Sequence, residues 1–316
     1  RKESSAASDV YKRQLFEREV AVFYVGTGTA ANSLALSAFN RPGGVVLCHG
    51  EAHIMVDECG APEFFAHGSR LAPVAGPGGM MEPAALRRAL AGFDPAFVHG
   101  GRPVAVSISQ SAESGALYAP TTVQEIASIA HEHGLAVHMD GARFANAVAA
   151  LRISPAEASW KAGVDVLSFG GTKNGCWCAE AIVFFDREKA ADFAFNHKRA
   201  GQLFSKSRFV SAQFDAYLAD GLWLSLAGHA NAMADALRTG IAASTNARAS
   251  WPTAANEVFA VLKRSAAERA RAQGALFYDW HVGGDTPVGE DEVLVRLVAS
   301  WSTTQEEVDS FIHLVG

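Results

Sequence analysis

The feature that most constrains the fold of this chain is a regular alternation between residues 104 and 171. Three short apolar runs, VAVSIS (104–109), LAVHMD (135–140) and VDVLSFGG (164–171), are separated by stretches with helical periodicity. Runs of this length bounded by turn residues are typical of buried strands. Strand, helix and strand in repetition predict an α/β fold with a mostly parallel sheet and helices on both of its faces.

The ends of the two intervening helices carry sequence signals. Thr122 and Glu125 have the spacing of a capping box, and Gly134 is typical of a helix C-terminus. Ser154 and Glu157 repeat the box before the second helical stretch. These signals predict where the helices begin and where the first of them ends.

The pattern changes beyond residue 205. A long helical stretch is predicted over 211–243, followed by strands over 256–263, 275–282 and 292–299 and a final capped amphipathic helix. Strands grouped with few helices between them indicate a smaller α+β domain. We therefore predict a large domain over 15–240 and a small C-terminal domain over 241–316.

Composition excludes several function classes. A formal net charge of −6 with no basic run argues against a nucleic-acid partner. No stretch approaches the roughly 20 apolar residues of a membrane span. The four cysteines, Cys48, Cys59, Cys176 and Cys178, lack the spacing of a metal site and predict reduced, mostly buried thiols of a cytoplasmic protein. The polar segment 1–14 has no periodicity, which suggests a non-native leader and a truncated N-terminus.

A glycine turn follows the first apolar run of the chain. Gly26-x-Gly28-x-x-Ala31 satisfies the dinucleotide-binding pattern, and Glu51 stands near the position of its acidic partner. A helix that begins after a glycine binds any phosphate equally well, however. The motif alone leaves open whether the phosphate belongs to a nicotinamide dinucleotide or to another cofactor.

Polar residues that could do chemistry follow the predicted strands. Asp140 and Arg143 come after one strand, Lys173 lies between glycines after the next, and Glu113 and the pair His49 and His53 follow two others. Because parallel strands end at one sheet edge, these side chains are expected to converge. A lysine for a Schiff base, an acid for a pyridine nitrogen and a helix N-terminus for a phosphate are what pyridoxal phosphate requires.

Three segments, GTAAN, HMDGAR and SFGGTKNG, resemble the low-specificity threonine aldolase group of the fold-type I pyridoxal-phosphate enzymes. The resemblance runs from about Phe16 to the end of the chain, and KRAGQLFSKSRF resembles the phenylserine-type and bacterial branch most. It implies retro-aldol cleavage of a β-hydroxy-α-amino acid to glycine and an aldehyde. It also implies a homodimer or homotetramer.

The resemblance assigns a role to each matching position. Lys173 would carry the cofactor, Asp140 would hold its pyridine nitrogen protonated, and His53 would stack on its ring and act as a base. The remaining assignments are Gly28 and Thr29 for the phosphate, Arg143 and Arg296 for the substrate carboxylate, and Lys206 for a neighbouring subunit's phosphate.

One departure from the family pattern concerns the base. Many members read E-N-T-H-N-G where this chain reads QSAESG, so Glu113 occupies the usual histidine position. The group that deprotonates the substrate hydroxyl is therefore His53, Glu113 or a water molecule. The alternatives to an aldolase are a β-eliminating lyase, a transaminase or a racemase on the same fold, a nicotinamide dehydrogenase, or a catalytically dead homologue.

Overall fold

A computed structural model describes residues 15–280 and 286–316. Its larger sheet has the strand order β1-β7-β6-β5-β4-β2-β3. The strands are β1 (Ala21–Val25), β2 (Gly44–His49), β3 (Arg70–Val74), β4 (Arg102–Ser109), β5 (Ala136–Gly141), β6 (Val166–Gly170) and β7 (Glu180–Phe184). The five strands from β3 to β6 in this order pair in parallel, and β7 is antiparallel to β6 and β1. The predicted α/β fold with a mostly parallel sheet is confirmed.

Helices cover both faces of this sheet. Those of the described residues are Gly28–Ser37, His53–Val56, Ala61–Phe65, Pro83–Ala91, Pro120–Glu132, Phe144–Leu151, Phe193–Arg199, Ser207–Leu218, Leu222–Ala243, Arg264–Ala272 and Gln305–Val315. The central strands are buried on both faces because Val137 and Met139 join one apolar cluster while Ala136 joins another. Among the described helices, none is long and apolar enough to cross a membrane.

The C-terminal part forms a separate antiparallel sheet with the order β10-β11-β9-β8. Its strands are β8 (Ala247–Ala249), β9 (Glu257–Lys263), β10 (Tyr278–Asp279) and β11 (Glu292–Val298). This confirms the predicted small α+β domain. The helix Leu222–Ala243 packs Trp223 into the core of the large domain and Leu237 into the core of the small one. The boundary near residue 240 falls within this helix and stays a prediction.

Several local predictions are wrong in detail. The helix that was expected to be capped by Thr122 begins at Pro120, since proline fits the first helical position, and no side-chain cap forms. Ser154 and Glu157 do exchange the two capping bonds, at 2.8 and 3.2 Å, but a turn and a short 3₁₀ helix follow them. The stretch 211–243 is divided into two helices because Asp220 and Gly221 adopt positive φ.

Further predictions concern the cysteines and the segments outside the described residues. All four cysteines are free, yet only Cys48 is buried, so the expectation of mostly buried thiols is wrong. The proposed leader 1–14 lies outside the described residues. The strand expected over 275–282 is reduced to β10, and positions 281 and 282 also lie outside the described residues.

Gly170, the last residue of β6, packs against the backbone that follows Asp140. A methyl group at Gly170 would lie 2.6 Å from the Ala142 carbonyl oxygen and 2.8 Å from its Cα. We expect Gly170→Ala to lower the free energy of unfolding by about 1–3 kcal/mol, since overpacking forces the backbone apart. Urea denaturation monitored by circular dichroism measures this change.

Gly228 provides the matched control for Gly170→Ala. It lies in the helix Leu222–Ala243, and a methyl group there would meet nothing within 4 Å. Gly228→Ala should leave stability unchanged or raise it by up to about 1 kcal/mol through helix propensity. Equal effects of the two substitutions would contradict the packing argument.

Candidate active site

The carboxyl ends of the parallel strands bring the predicted polar residues to one edge of the sheet. The charges of Asp140, Glu113 and Arg143 all act on the ammonium group of Lys173. Those of Glu113 and Asp140 also act on His53. The predicted convergence of these five side chains is therefore what the structure contains. His49 is not among the groups whose charges act on Lys173 or His53, and its Nε2 lies 3.0 Å from the carbonyl oxygen of Gly76.

Asp140 is a buried carboxylate near the end of β5. One of its oxygens accepts a hydrogen bond from the backbone N–H of Ala142 at 3.0 Å. The other accepts one from the side-chain amide of Asn32 at 2.9 Å. Because neither partner is charged, Asp140 has no counter-ion among these contacts and remains suited to pairing with a cationic ligand group.

Asn32 and Glu58 connect Asp140 with His53. The amide nitrogen of Asn32 also donates to Glu58 Oε1 at 2.8 Å, and the same oxygen lies 2.8 Å from His53 Nδ1. Asn32 and Glu58 are both buried. Sequence reasoning missed both residues, although Asn32 closes the quoted segment GTAAN and a polar residue on an otherwise apolar helix face is a usable signal.

The hydrogen bond to Glu58 determines the proton position on His53. This bond raises the pKa of His53, burial opposes the rise, and the negative charges of Glu113 and Asp140 add to it. In the neutral imidazole a proton on Nδ1 faces Glu58, which leaves the lone pair on Nε2. His53 can therefore accept a proton at Nε2 while Glu58 stabilises the resulting cation.

Lys173 lies on a short 3₁₀ helix, Thr172–Asn174, directly after β6. Its neighbour Asn174 is buried and donates to the hydroxyl of Tyr217 at 2.7 Å and to the carbonyl of Trp223 at 2.8 Å. These bonds fix the loop against two helices. Although part of the Lys173 side chain is accessible to solvent, dehydration and then the positive charge of Arg143 lower its pKa.

The glycine turn forms an anion-binding helix start. The helix begins at Gly28, and Thr27 caps it by accepting from the Ala30 N–H at 3.1 Å. Within 15–280 and 286–316 the N–H groups of Gly28 and Thr29 have no acceptor, so they can bind a phosphate at the positive end of the helix. The side-chain oxygen of Gln202, which sequence reasoning missed, holds the Gly26 N–H at 3.0 Å.

Lys206 makes no hydrogen bond or ion pair through its side chain with the glycine turn among the described residues. It is exposed and precedes the helix Ser207–Leu218, four residues after Gln202. In the part of the chain that the structure describes it forms no ion pair with the other candidate residues. Its predicted role toward a neighbouring subunit stays a prediction.

Arg143 and Arg296 meet on a residue that sequence reasoning missed. Glu257, the first residue of β9, is fully buried, and its Oε1 lies 3.1 Å from Arg143 Nη2. The same oxygen accepts from Nε of Arg296 at 2.8 Å and from its Nη2 at 2.5 Å. The two arginines predicted to bind one carboxylate are thus brought together, and a protein carboxylate already joins them.

A cavity of about 1140 Å³ opens beside Glu113. Residues of both domains line it, among them His49, Trp251 and Trp280. Burial raises the pKa of Glu113, while the positive charges of Arg143 and Lys173 oppose the rise. The cavity gives a substrate side chain room next to the charged cluster.

The residues present fit pyridoxal phosphate. Free N–H groups at Gly28 and Thr29 suit its phosphate, the carboxylate of Asp140 without a charged partner suits its pyridine nitrogen, and the lowered pKa of Lys173 suits a nucleophilic amine. A methyl group at Gly28 would meet nothing within 4 Å, so the space before the helix is open.

We expect Glu58→Gln to lower the pKa of His53 toward its usual value of 6.5, because the charged acceptor is lost and the geometry is kept. Because the pKa of His53 is raised in the folded chain, its proton stabilises the fold at low pH. This stabilisation is lost as pH rises through the pKa of the folded state. NMR titration of the His53 ring measures the shift. Glu51→Gln, two residues away, is the control, and an unchanged His53 pKa in Glu58→Gln would refute the assignment.

The comparisons with known proteins agree with this geometry. The family model described as Beta-eliminating lyase matches residues 3–265. The low-specificity L-threonine aldolase of Pseudomonas sp. (strain NCIMB 10558) is 44% identical over 297 residues, 94% of this chain and 82% of that protein. The low-specificity L-threonine aldolase of Pseudomonas aeruginosa is 45% identical over 306 residues, 96% and 85% of the two chains.

Solved structures show the same fold. The threonine aldolase of Leishmania major superimposes with a TM-score of 0.90 at 27% identity, over 98% of this chain and 88% of that one. A putative L-allo-threonine aldolase from Listeria monocytogenes gives a TM-score of 0.73 at 14% identity, over 99% and 87%, which indicates a common fold. The chain belongs to the β-eliminating lyase family of pyridoxal-phosphate-dependent enzymes, within its low-specificity L-threonine aldolase group.

Proposed function

We propose that this protein cleaves a β-hydroxy-α-amino acid of the threonine, allo-threonine or phenylserine type to glycine and an aldehyde. The observation that carries the proposal is the meeting of Lys173, Asp140 and His53 with the pair Arg143 and Arg296. Identities of 44% and 45% to proteins named low-specificity L-threonine aldolase support the reaction class.

Pyridoxal phosphate, when bound, supplies an electron sink that stabilises negative charge at the α-carbon of the substrate. Asp140 would hold a proton on the pyridine nitrogen, and the N–H groups of Gly28 and Thr29 would hold the phosphate. Lys173 would carry the cofactor. Its lowered pKa increases the fraction of neutral amine, the form that attacks a carbonyl carbon.

Arg143 and Arg296 orient the substrate by its α-carboxylate. A guanidinium pair fixes a carboxylate in direction as well as in position. With the carboxylate fixed, the bond from the α-carbon to the β-carbon can be held in the orientation in which it breaks, and the other bonds of that carbon cannot. Binding geometry therefore selects carbon–carbon cleavage over proton loss, which is the step of a racemase or a transaminase.

His53 is the base that we assign to the β-hydroxyl. Its Nδ1 is held by Glu58 at 2.8 Å, so its Nε2 is free to accept a proton. Glu113 acts on His53 through its charge and stays the second candidate for this role. A carboxylate behind an imidazole is a common arrangement for a general base, because it stabilises the cation that forms.

The strand order argues against a nicotinamide dehydrogenase. The dinucleotide motif requires that the strand before its glycines neighbours the following parallel strand. Here β7, β6, β5 and β4 lie between β1 and β2. The pattern at Gly26 therefore supports a phosphate site but has no dinucleotide fold around it.

A homodimer or homotetramer in the cytoplasm completes the proposal. Large apolar side chains that follow Lys173 and Lys206 in sequence are exposed, with Trp177 at 86% and Phe209 at 57%. Exposed apolar side chains of this size favour an interface between subunits. Lys206 lies in the same region of the sequence, which is consistent with a role across such an interface.

We expect the purified protein to release glycine and an aldehyde from threonine or phenylserine when it is loaded with pyridoxal phosphate. Lys173→Ala should lower this activity by at least about 10²–10⁴-fold, the loss expected for a positioned catalytic group, since the amine that would carry the cofactor is gone. Lys189→Arg, a substitution at a residue that pairs with Asp165 on the surface, should leave the activity unchanged.

Product analysis and borohydride labelling check this expectation. Borohydride should fix the cofactor to the peptide that contains Lys173. A 2-oxo acid and ammonia as the main products (2-oxobutyrate from threonine, phenylpyruvate from phenylserine), or a label on another lysine, would reject the proposal.

The pH dependence of the reaction should report the ionisation of His53. The base works only when it is unprotonated, so activity should fall as pH decreases through the His53 pKa, above 6.5. Glu113→Gln should shift this acidic limb to lower pH, because a negative charge that raises the His53 pKa is gone. His53→Asn should lose about 10²–10⁴-fold in kcat/KM. If Glu113→Gln abolishes the limb altogether, Glu113 is the base.

A further inference from the structure

Glu257 stands between two arginines that come from different domains. Arg143 follows β5 in the large domain, whereas Arg296 lies on β11 in the small one. A single oxygen of Glu257, Oε1, contacts Nη2 of Arg143 and both Nε and Nη2 of Arg296. Its other oxygen, Oε2, is buried with no partner among the described residues.

This arrangement is poorly explained by stability alone. A fully buried carboxylate loses its hydration, and one unpaired oxygen adds to the free-energy cost. Buried ion pairs are often no more stable than apolar side chains of similar volume. The buried charge of Glu257 is explained if this residue positions the guanidinium groups of Arg143 and Arg296.

The backbone around Glu257 is held in place by Arg238. Arg238, on the helix Leu222–Ala243, donates to the backbone carbonyls of Ala255 at 2.5 Å and Glu257 at 3.3 Å, and to the hydroxyl of Thr253 at 2.9 Å. In the antiparallel pair of β9 and β11, Arg296 lies opposite Phe259, two residues from Glu257. The two charged residues are therefore diagonal neighbours on one face of the sheet.

Several guanidinium nitrogens of the two arginines are left to bind a ligand carboxylate. Within residues 15–280 and 286–316, Nη1 of Arg296 and both Nε and Nη1 of Arg143 make no hydrogen bond. Within this group of three side chains, two positive charges and one negative charge leave one net positive charge. A single ligand carboxylate would balance it.

We propose that Glu257 is a positioning residue for substrate binding: it aligns Arg143 and Arg296 into one receptor for the α-carboxylate of the substrate. Glu257 acts through the arginines and does not itself contact the substrate. The inference rests on the proposed function only in taking an α-amino acid as the ligand.

Calorimetric titration of the holoenzyme with glycine and with glycinamide tests this role. The two ligands share the amine, but only glycine carries the carboxylate. Glu257→Leu should weaken glycine binding by about 10- to 100-fold, since misplaced binding groups lose affinity of this order, and should leave glycinamide binding unchanged. Glu257→Gln keeps an acceptor for both arginines but loses the charge, so it should lose part of the preference for glycine, and less of it than Glu257→Leu does.

Glu292→Gln is the matched control. Glu292 lies on β11 and pairs with Arg248, so the substitution removes a charged partner of an arginine from the same sheet. It should leave both affinities unchanged. If Glu257→Leu does not fold, a preference for glycine in Glu257→Gln equal to that of the native chain overturns the proposal.

The outcomes separate this inference from the proposed reaction. A merely structural role predicts that Glu257 substitutions weaken glycine and glycinamide equally, or only lower the unfolding temperature, and either result overturns the inference. Preferential loss of glycine binding supports it even in a holoenzyme that releases no aldehyde, because binding is measured without turnover.

Discussion

Asp140 lies on a strand that is buried from end to end, and a carboxylate at such a place must be satisfied by neighbours. Among the described residues, the hydrogen-bond donors to Asp140 are the Ala142 N–H and the Asn32 amide, and both are neutral. A lysine or arginine there would neutralise Asp140 permanently. Neutral donors solvate the carboxylate and leave its negative charge available to a ligand. Because Asn32 is neutral, Asp140 can pair with a cationic group.

The polar residues of the site form two groups, and charges from both groups act on Lys173. Asp140, Asn32, Glu58 and His53 are linked by hydrogen bonds into the first group. Glu257 and its two arginines form the other. The first group can hold a cation and receive a proton, whereas the second can bind an anion. An α-amino acid carries charges of both signs, and a site with two such poles orients it without a contact to its side chain.

The sequence was sufficient to predict the edge of the sheet and most of the residues on it. Asp140 and Lys173 could be placed because each follows an apolar run, and a parallel sheet collects the ends of its strands. Asn32, Glu58 and Glu257 could not be placed, since each has at least one partner that is distant in sequence. Asn32 and Asp140 are 108 residues apart, and Glu257 reaches both domains. Motif spacing carries no information about such contacts.

The predicted start of the helix Pro120–Glu132 was wrong for a different reason. Thr122 and Glu125 have the spacing of a capping box, but Pro120 starts the helix first. A local signal competes here with another local signal, and the proline prevails because its fixed φ already suits the first turn. By contrast, the box at Thr304 and Glu307 forms both of its bonds, since no other helix starter precedes it.

The helix Leu222–Ala243 connects the loop of Lys173 with the arginine pair. The Trp223 carbonyl holds Asn174 beside Lys173, Asn231 bonds with Asn146 in the helix after Arg143, and Arg238 holds the backbone at Glu257. From Trp223 to Arg238 the helix spans roughly 22 Å at 1.5 Å per residue. One rigid element thus sets the distance between the lysine and the arginine receptor. A shift of the small domain along this helix would move the carboxylate of the substrate relative to Lys173, which makes the helix the structural basis of the site's alignment.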